Sequence, residues 1–326
     1  KVKNDKIDSK GIAKLGLSKD IPVSQFPAKL VLELRSLTRK YYDLTDERSA
    51  HINKLKGDLH TVFPQYLDVF CDVTGKTSTM ILRQYGTPDK ILRGHKKTMI
   101  EKISKASRKG LAKASERYEK LCAAANAAKT FGCQIDSIYF NIFLTLDLVE
   151  KLDSALDSIL NRIRQLITFN KNEKFIQQIK LLNTIPGVGF LTAVTIMCEI
   201  GDFSAFRNPK QLFAYFGLDP EVNESGKFVG TQLHMSKRGS RIARRAIFAV
   251  ALASIRTKRN GEGINPYLRK YYELKSGQKP KMVAIGAVMH KVCNIVFAVL
   301  RDEKAFELRS PEEHCKQYQR PALAAA

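Results

Sequence analysis

The run PAKLVLELRSLTRKYYDLTDERSAHINKLKGDLHTVFP, residues 27–64, carries its apolar side chains at alternating steps of four and three. Leu30, Leu34, Leu37, Tyr41 and Leu44 fall on one helical stripe, the spacing of a seam that packs along a second helix. The seam meets Arg48 and His51, resumes one position shifted at Ile52, Leu55, Leu59 and Val62, and stops at Pro64, which cannot continue a helix. A matching seam lies far downstream at Val149, Leu152, Leu156, Ile159, Ile163 and Leu166. The simplest arrangement packs the two helices antiparallel as a long coiled-coil stalk. Residues 65 to about 135 then form a helical insertion at its tip. Pairing of the seams between two copies of the chain is the rival. Either way the fold class is mainly α.

Charge narrows the function. The 326 residues carry 55 Lys and Arg against 32 Asp and Glu, a formal net charge of +23, with a pI near 9.8. Such a surplus repels itself unless a polyanion is close, so nucleic acid is the expected partner. Two fields concentrate it. Between Asp89 and Lys120 eleven basic residues face four acidic ones. Lys96, Lys97, Lys105, Arg108 and Lys109 are the candidates there for contact with a nucleic-acid backbone. From Ser225 to Asn260 there is no acidic residue, and nine basic ones include Lys227, Lys237, Arg238, Arg241, Arg244 and Arg245.

Other classes recede. The apolar stretch Val283 to Leu300 is interrupted by His290, Lys291 and Asn294, so it reads as a buried helix and no membrane is expected. Cys71, Cys122, Cys133, Cys198, Cys293 and Cys315 form no CxxC pair. That fits reduced thiols in a prokaryotic cytoplasm better than a disulfide framework or a zinc site. The chain opens on Lys1 rather than Met, with no secretory signal in view, and is expected to be a fragment. Residues 309–326 read as a tail.

The second half, 176–308, reads as a separate helical domain. Ile185-Pro186-Gly187-Val188-Gly189 lies between two helical stretches and has the look of a helix-hairpin-helix element. Gly187 and Gly189 would let the backbone approach a phosphate at the next helix start; a tight turn with no ligand is the plain alternative. A short helix over Lys210–Phe216, a small β-ribbon over 228–235, a helix from Arg241 to about Ile255 and a last helix over 281–300 follow. On the third of these, Arg241, Arg244 and Arg245 share a face by spacing, while Ala243, Ile247, Val250 and Ala251 turn to the core. Ser225, beside Gly226 and ahead of the basic field, is a candidate nucleophile or phosphate anchor; Ser236 is its nearest competitor. At the other end Asp5 and Asp8 stand three apart, near one face of a helix from Ile7 to Leu15, where ordinary helix capping is the simpler role.

Taken in order, these pieces resemble the insertion-sequence 110 family of transposases, the DEDD-type, bridge-RNA-guided DNA recombinases. Asn4-Asp5-Lys6-Ile7-Asp8-Ser9-Lys10-Gly11-Ile12-Ala13 is similar to the family's Lys-x-Asp-x-x-Asp-Ala segment, with Ser9 where alanine is usual. Ile185 to Pro220 resembles the start of its C-terminal domain. Glu224-Ser225-Gly226, with Met235-Ser236-Lys237-Arg238-Gly239 and Ala243-Arg244-Arg245, resembles the part that carries its serine.

The resemblance implies that residues 1–25 end an RNase H-like (RuvC-like) α/β domain. Asp5 and Asp8 would be the last two of four acids that bind Mg2+, the first two lying upstream of Lys1, so that this chain alone is expected to be inactive. It further implies a stalk over 26–175, a domain over 176–308 with Ser225 as nucleophile, donor and target DNA as substrates, a bridge RNA as guide, and a homo-oligomer, dimer or tetramer. The alternatives are a non-catalytic helix-hairpin-helix protein that binds DNA or RNA, and an inactive transposase remnant.

Overall fold

The computed structural model describes residues 5–17, 27–171, 173–221, 224–225, 228–229, 234–310 and 312–313. Among them the protein is mainly helical. Helix α1 (Asp5–Gly16) is what is described of the N-terminal segment. The frame is a pair of helices of equal length, α2 (Lys29–Val62) and α8 (Asp136–Phe169), each 34 residues. They lie antiparallel. The start of α2 shares a core with the end of α8 through Leu34, Ile163, Leu166 and Ile167. The end of α2 shares another with the start of α8 through Leu55, Leu59, Val62, Tyr139, Ile142 and Leu146. Halfway along, where Arg48 breaks the seam, its guanidinium grips the Asp153 carboxylate with two hydrogen bonds. The seam is also wider than its leucines suggest, since Val31 and Thr38 are buried beside it.

Five helices between the pair close the distal core: α3 (Tyr66–Val69), α4 (Lys76–Gln84), α5 (Pro88–Arg93), α6 (Lys96–Ser107) and α7 (Leu111–Phe131). Its centre is aromatic. Phe63, Tyr66 and Phe70 pack in sequence, and the buried Tyr66 hydroxyl is satisfied by Ser78, as an enclosed hydroxyl must be.

The proximal core is built from α9 (Lys174–Leu182), α10 (Phe190–Ile200), α11 (Pro209–Tyr215), α12 (Arg241–Ile255), α13 (Pro266–Ser276) and α14 (Lys281–Asp302). Its sequence cues are strong caps. The side chains of Asn208, Ser240 and Asn265 accept from the backbone at the starts of α11, α12 and α13, and Pro sits in the first turn of α11 and α13, where its missing N–H costs nothing. Helix α14 is long and apolar enough to cross a membrane by length and composition. Here its apolar face is core: Ala284, Val288, Val292, Cys293, Val296 and Leu300 are buried. Ala243, Ile247, Val250 and Ala251 of α12 are buried against it.

The one β element among the described residues is a ribbon. Strand β1 (Glu224–Ser225) pairs antiparallel with β2 (Phe228–Val229), with Ser225 opposite Phe228. Below it the two legs stay paired. Glu221 N–H donates to His234 O, Ser236 N–H to Asp219 O and Lys237 N–H to Gly217 O, and Pro220 bridges Met235. The ribbon therefore starts earlier than residue 228 and includes the Ser225 segment as its outer end.

Candidate active site and nucleic-acid interface

The ribbon is held at its base by two glycines in close contact. Gly217 takes φ +65, and a Cβ on it would lie 2.5 Å from Gly239 N. A Cβ on Gly239 would lie 1.9 Å from Tyr215 O. No side chain fits between these backbones, so the Lys237-Arg238-Gly239 turn lies flat on the end of α11. Lys237 itself sits at φ +55, a left-handed conformation uncommon for a side-chain-bearing residue. Ser236 Oγ donates to Asp219 Oδ1 at 2.6 Å, tying the legs together below β1 and β2. Ser225 is the last residue of β1; its side chain and all of Lys227 lie outside the described residues.

The three arginines of α12 do not form one outward face, which corrects the reading from spacing. Arg241 is exposed. Arg244 points down instead: its Nη1 donates to Phe216 O at 3.1 Å and Gly239 O at 2.8 Å. It fastens the turn to the helix through this one nitrogen. Arg245 reaches across to α2, where Nη1 donates to Asp46 Oδ1 at 2.7 Å and the guanidinium lies 4.8 Å from the centre of the Tyr42 ring. Burial raises the Tyr42 hydroxyl above its ordinary range, against the opposing pull of a Thr195 hydrogen bond and the Arg245 charge. Arg245 thus docks the C-terminal helices onto the long pair. Spacing on one helix could not show this, because the partners are some 200 residues away in sequence.

A second long-range pair lies beside it. Arg39 Nε and Nη2 donate to the Glu199 carboxylate at 2.8 and 2.9 Å, and Arg35 Nε donates to Cys198 O at 2.7 Å. Glu199 is buried at the C-terminal end of α10. Burial pushes its carboxyl up, but the Arg39 hydrogen bond, a Ser240 hydrogen bond and the charges of Arg39 and Arg35 prevail and hold it below its ordinary value. Arg39 is raised for the reciprocal reason, led by its hydrogen bond to Glu199. Arg35 and Arg39 were legible only as two more charges on a helix surface; their placement beside Arg238 is a product of the fold.

The α9-turn-α10 element departs from a phosphate-facing reading at Gly187. At φ +96 its α-carbon presses on α12, where a Cβ would lie 2.5 Å from Ser254 Oγ and 2.9 Å from Ser254 N. Ser254 Oγ in turn donates to Pro186 O at 3.0 Å. Gly187 is a packing glycine. Gly189 is exposed at the start of α10 with open space where a Cβ would be, and no side chain caps that helix.

In the distal lobe, Lys96, Lys97, Lys105, Arg108 and Lys109 are all exposed, on α6 and the turn that follows it. Arg108 closes α6 at φ 54, and Lys109 O accepts from Ser104 Oγ at 2.7 Å. Lys96 rests 5.8 Å from the Tyr118 ring centre. These five make no ion pair among the described residues, whereas Lys120 and Lys129 are neutralised by Glu116 and Asp89.

Asp5 and Asp8 open α1, one turn apart. Asp8 is exposed; the Asp5 side chain lies outside the described residues. Magnesium takes six oxygen ligands and commonly draws only one or two carboxylates from a protein, so the pair fits its donor chemistry. No group of three or more His, Cys, Asp or Glu gathers among the described residues.

A helical frame with exposed lysines at one end and the exposed Lys237, Arg238 and Arg241 at the other presents basic surface suited to a polyanion. Comparison with known proteins is specific. Residues 179–273 match the family described as Transposase IS116/IS110/IS902 family, and residues 1–64 match a DEDD-type IS110 transposase family. The chain is 23% identical to the IS110 insertion-element 43.6 kDa protein of Streptomyces coelicolor over 87% of its own length and 66% of that protein. It is 30% identical to the pilin gene-inverting protein of Moraxella bovis over 54% and 52%, and 26% identical to the transposase for insertion sequence element IS1111A of Coxiella burnetii over 56% and 50%. It thus spans about half to two thirds of the length of these relatives. Both matched families are IS110-type transposases, and the chain is similar to them over residues 1–64 and 179–273.

Proposed function

We propose that this chain is part of an insertion-sequence DNA transposase that cuts and rejoins DNA through a serine–DNA intermediate. The observation that carries the reading is the outer end of the ribbon. Its Glu224-Ser225 strand stands above a turn, Lys237 to Ser240, fixed by glycine contacts and by Arg244. In the reaction Ser225 Oγ attacks a backbone phosphorus and gives up its proton. The P–O bond to the leaving sugar oxygen breaks, and that oxygen takes a proton. The phosphodiester energy is kept in the serine ester. A second DNA hydroxyl, losing its proton, then attacks the phosphorus; the Ser225 Oγ–P bond breaks and Oγ takes a proton back. The strand is rejoined without an added nucleotide. Magnesium, when bound at a carboxylate set that includes Asp5 and Asp8, supplies charge to the phosphate oxygens.

The relatives named for gene inversion and transposition support DNA as substrate. We further assign a bridge RNA as guide and a homo-oligomer in which serine and carboxylates come from different copies. The α2–α8 pair serves as a coiled-coil arm between copies, and the α9–α10 turn as a helix-hairpin-helix element with Gly189 at its open side. The site of action is the nucleoid-containing cytoplasm.

Denaturing gel electrophoresis of the complete transposase, with all four acids present, incubated with element-end DNA, magnesium and bridge RNA tests the assignment. A covalent protein–DNA adduct is expected, and Ser225→Ala abolishes it while DNA binding is kept. An adduct that survives Ser225→Ala and disappears in Ser236→Ala moves the nucleophile to Ser236. No adduct from the wild type, with DNA still bound, leaves a binding module.

A further inference from the structure

The long pair and the C-terminal helices meet at a cleft of about 470 Å3 that none of the family matches assigns. Arg35 and Arg39 line it from α2, Arg238 from the turn before α12, and Tyr215, Glu199 and Ser240 complete it. Three guanidinium groups face a single carboxylate, so the cleft keeps a positive surplus.

The way the arginines are held is informative. Arg35 is anchored through Nε to Cys198 O, and Arg39 through Nε and Nη2 to Glu199. Both anchors leave terminal guanidinium N–H groups uncommitted among the described residues. An arginine fixed by part of its fork has already lost much of its side-chain freedom, so closing on an anion costs it less. Arg238 is exposed, yet its backbone is immobilised by the Gly217–Gly239 contact. Ser240 caps α12 by accepting from Ala243 N–H at 3.2 Å, which turns the positive end of a 15-residue helix toward the same cleft. Tyr215 is held by its hydroxyl donating to Glu199 O at 2.9 Å. The buried carboxylate thus organises the rim: it orients Arg39 through its side chain and Tyr215 through its backbone. Convergent planar forks on an open cleft suit a phosphodiester more than a small enclosed metabolite.

We propose that this cleft holds one backbone phosphate of the bound DNA, gripped jointly by Arg35, Arg39 and Arg238, and so locks α2 to the serine-bearing domain when DNA is present. This rests on the DNA-recombinase reading above. Arg238, Gly239 and Ser240 of the cleft follow directly on the paired leg of the ribbon that ends at Lys237. RNA offers the same chemistry, and the test separates the two.

Arg35→Gln, Arg238→Gln and the double variant are compared with wild type in binding to a duplex DNA and to a hairpin RNA across a salt series, with Lys151→Gln on α8 as a charge control. Arg238 makes no hydrogen bond among the described residues, so its variant keeps the wild-type thermal midpoint. Each single variant is expected to weaken duplex binding roughly tenfold at low salt. Because the side chains share one phosphate, the double variant lowers the slope of log K against log salt by only about 0.9, one contact's worth. Unchanged slopes in Arg238→Gln and the double variant overturn the cleft. A loss confined to RNA overturns DNA as the occupant. A wild type that does not bind duplex at all overturns the underlying recombinase reading, and the cleft's assignment with it.

Discussion

Gly239 shows how one missing methyl group shapes the site. The atoms that an added Cβ would meet are Tyr215 O at 1.9 Å, Phe216 C at 2.6 Å and Gly217 N at 2.7 Å, all of them backbone. None can swing aside. Gly239→Ala is therefore expected to cost more than about 3 kcal/mol in urea unfolding; a loss below 1 kcal/mol would mean that the turn lifts away freely. Glu199 makes a prediction in pH. Its folded carboxyl is held below the ordinary value of 4.5 because Arg39 and Ser240 outweigh burial. A depressed carboxylate contributes stability above its unfolded pKa and loses it as pH falls through the folded one. Glu199→Gln should thus cost about 1–3 kcal/mol at neutral pH, a discounted figure because Arg39 is half exposed. The gap to wild type should close on acidification below about pH 4. An undiminished gap at pH 3 would sink the account.

Helices α2 and α8 are held by burial more than by charge. Leu55 is fully enclosed where α2 enters the distal core, and Leu55→Ala is expected to cost about 2–5 kcal/mol. Asp153→Asn removes the partner of Arg48, but about half of that carboxylate side chain is exposed, so its loss should stay under about 1 kcal/mol. Chemical denaturation of the two variants decides between the effects; equal losses would mean that the Arg48 break is the main clamp. Helix α14 repeats the point. Its composition permits a bilayer, and packing gives it a protein core instead, with Lys291 kept at the exposed side.

The molecule carries its charge at two ends of a long frame, and the two ends do different things with it. In the distal lobe Lys96, Lys97, Lys105 and Lys109 are solvent-facing and make no ion pair among the described residues, whereas Lys120 and Lys129 are paired. Replacing Lys96, Lys97, Lys105, Arg108 and Lys109 together by Gln should leave the thermal midpoint unchanged and lower the salt slope of nucleic-acid binding by up to about 4. A melting shift with no change in slope would reassign them to the fold. In the proximal domain much of the apparent field is internal: Arg244 and Arg245 bind carbonyls and a carboxylate, and Arg35 and Arg39 are partly anchored.

Much of this was legible along the chain because helical periodicity is a local property. The stripes from Leu30 to Val62 and from Val149 to Leu166, the stop at Pro64, the helix at Arg241–Ile255 and the buried role of the 283–300 stretch all follow from spacing within a few turns. The motif around Ser225 and the pair Asp5 and Asp8 could likewise be picked out from their neighbours. What spacing could not supply was the fate of individual charges. Helix α13, short and polar with a single buried residue, Leu268, left too weak a stripe to find. Gly187 looked like a ligand-facing glycine until α12 was packed on it, and Arg244 looked like a surface cation until Phe216 O came within 3.1 Å. Whether an arginine meets solvent, a carbonyl or a carboxylate depends on residues 28 to 199 positions away, and only chain folding sets those distances.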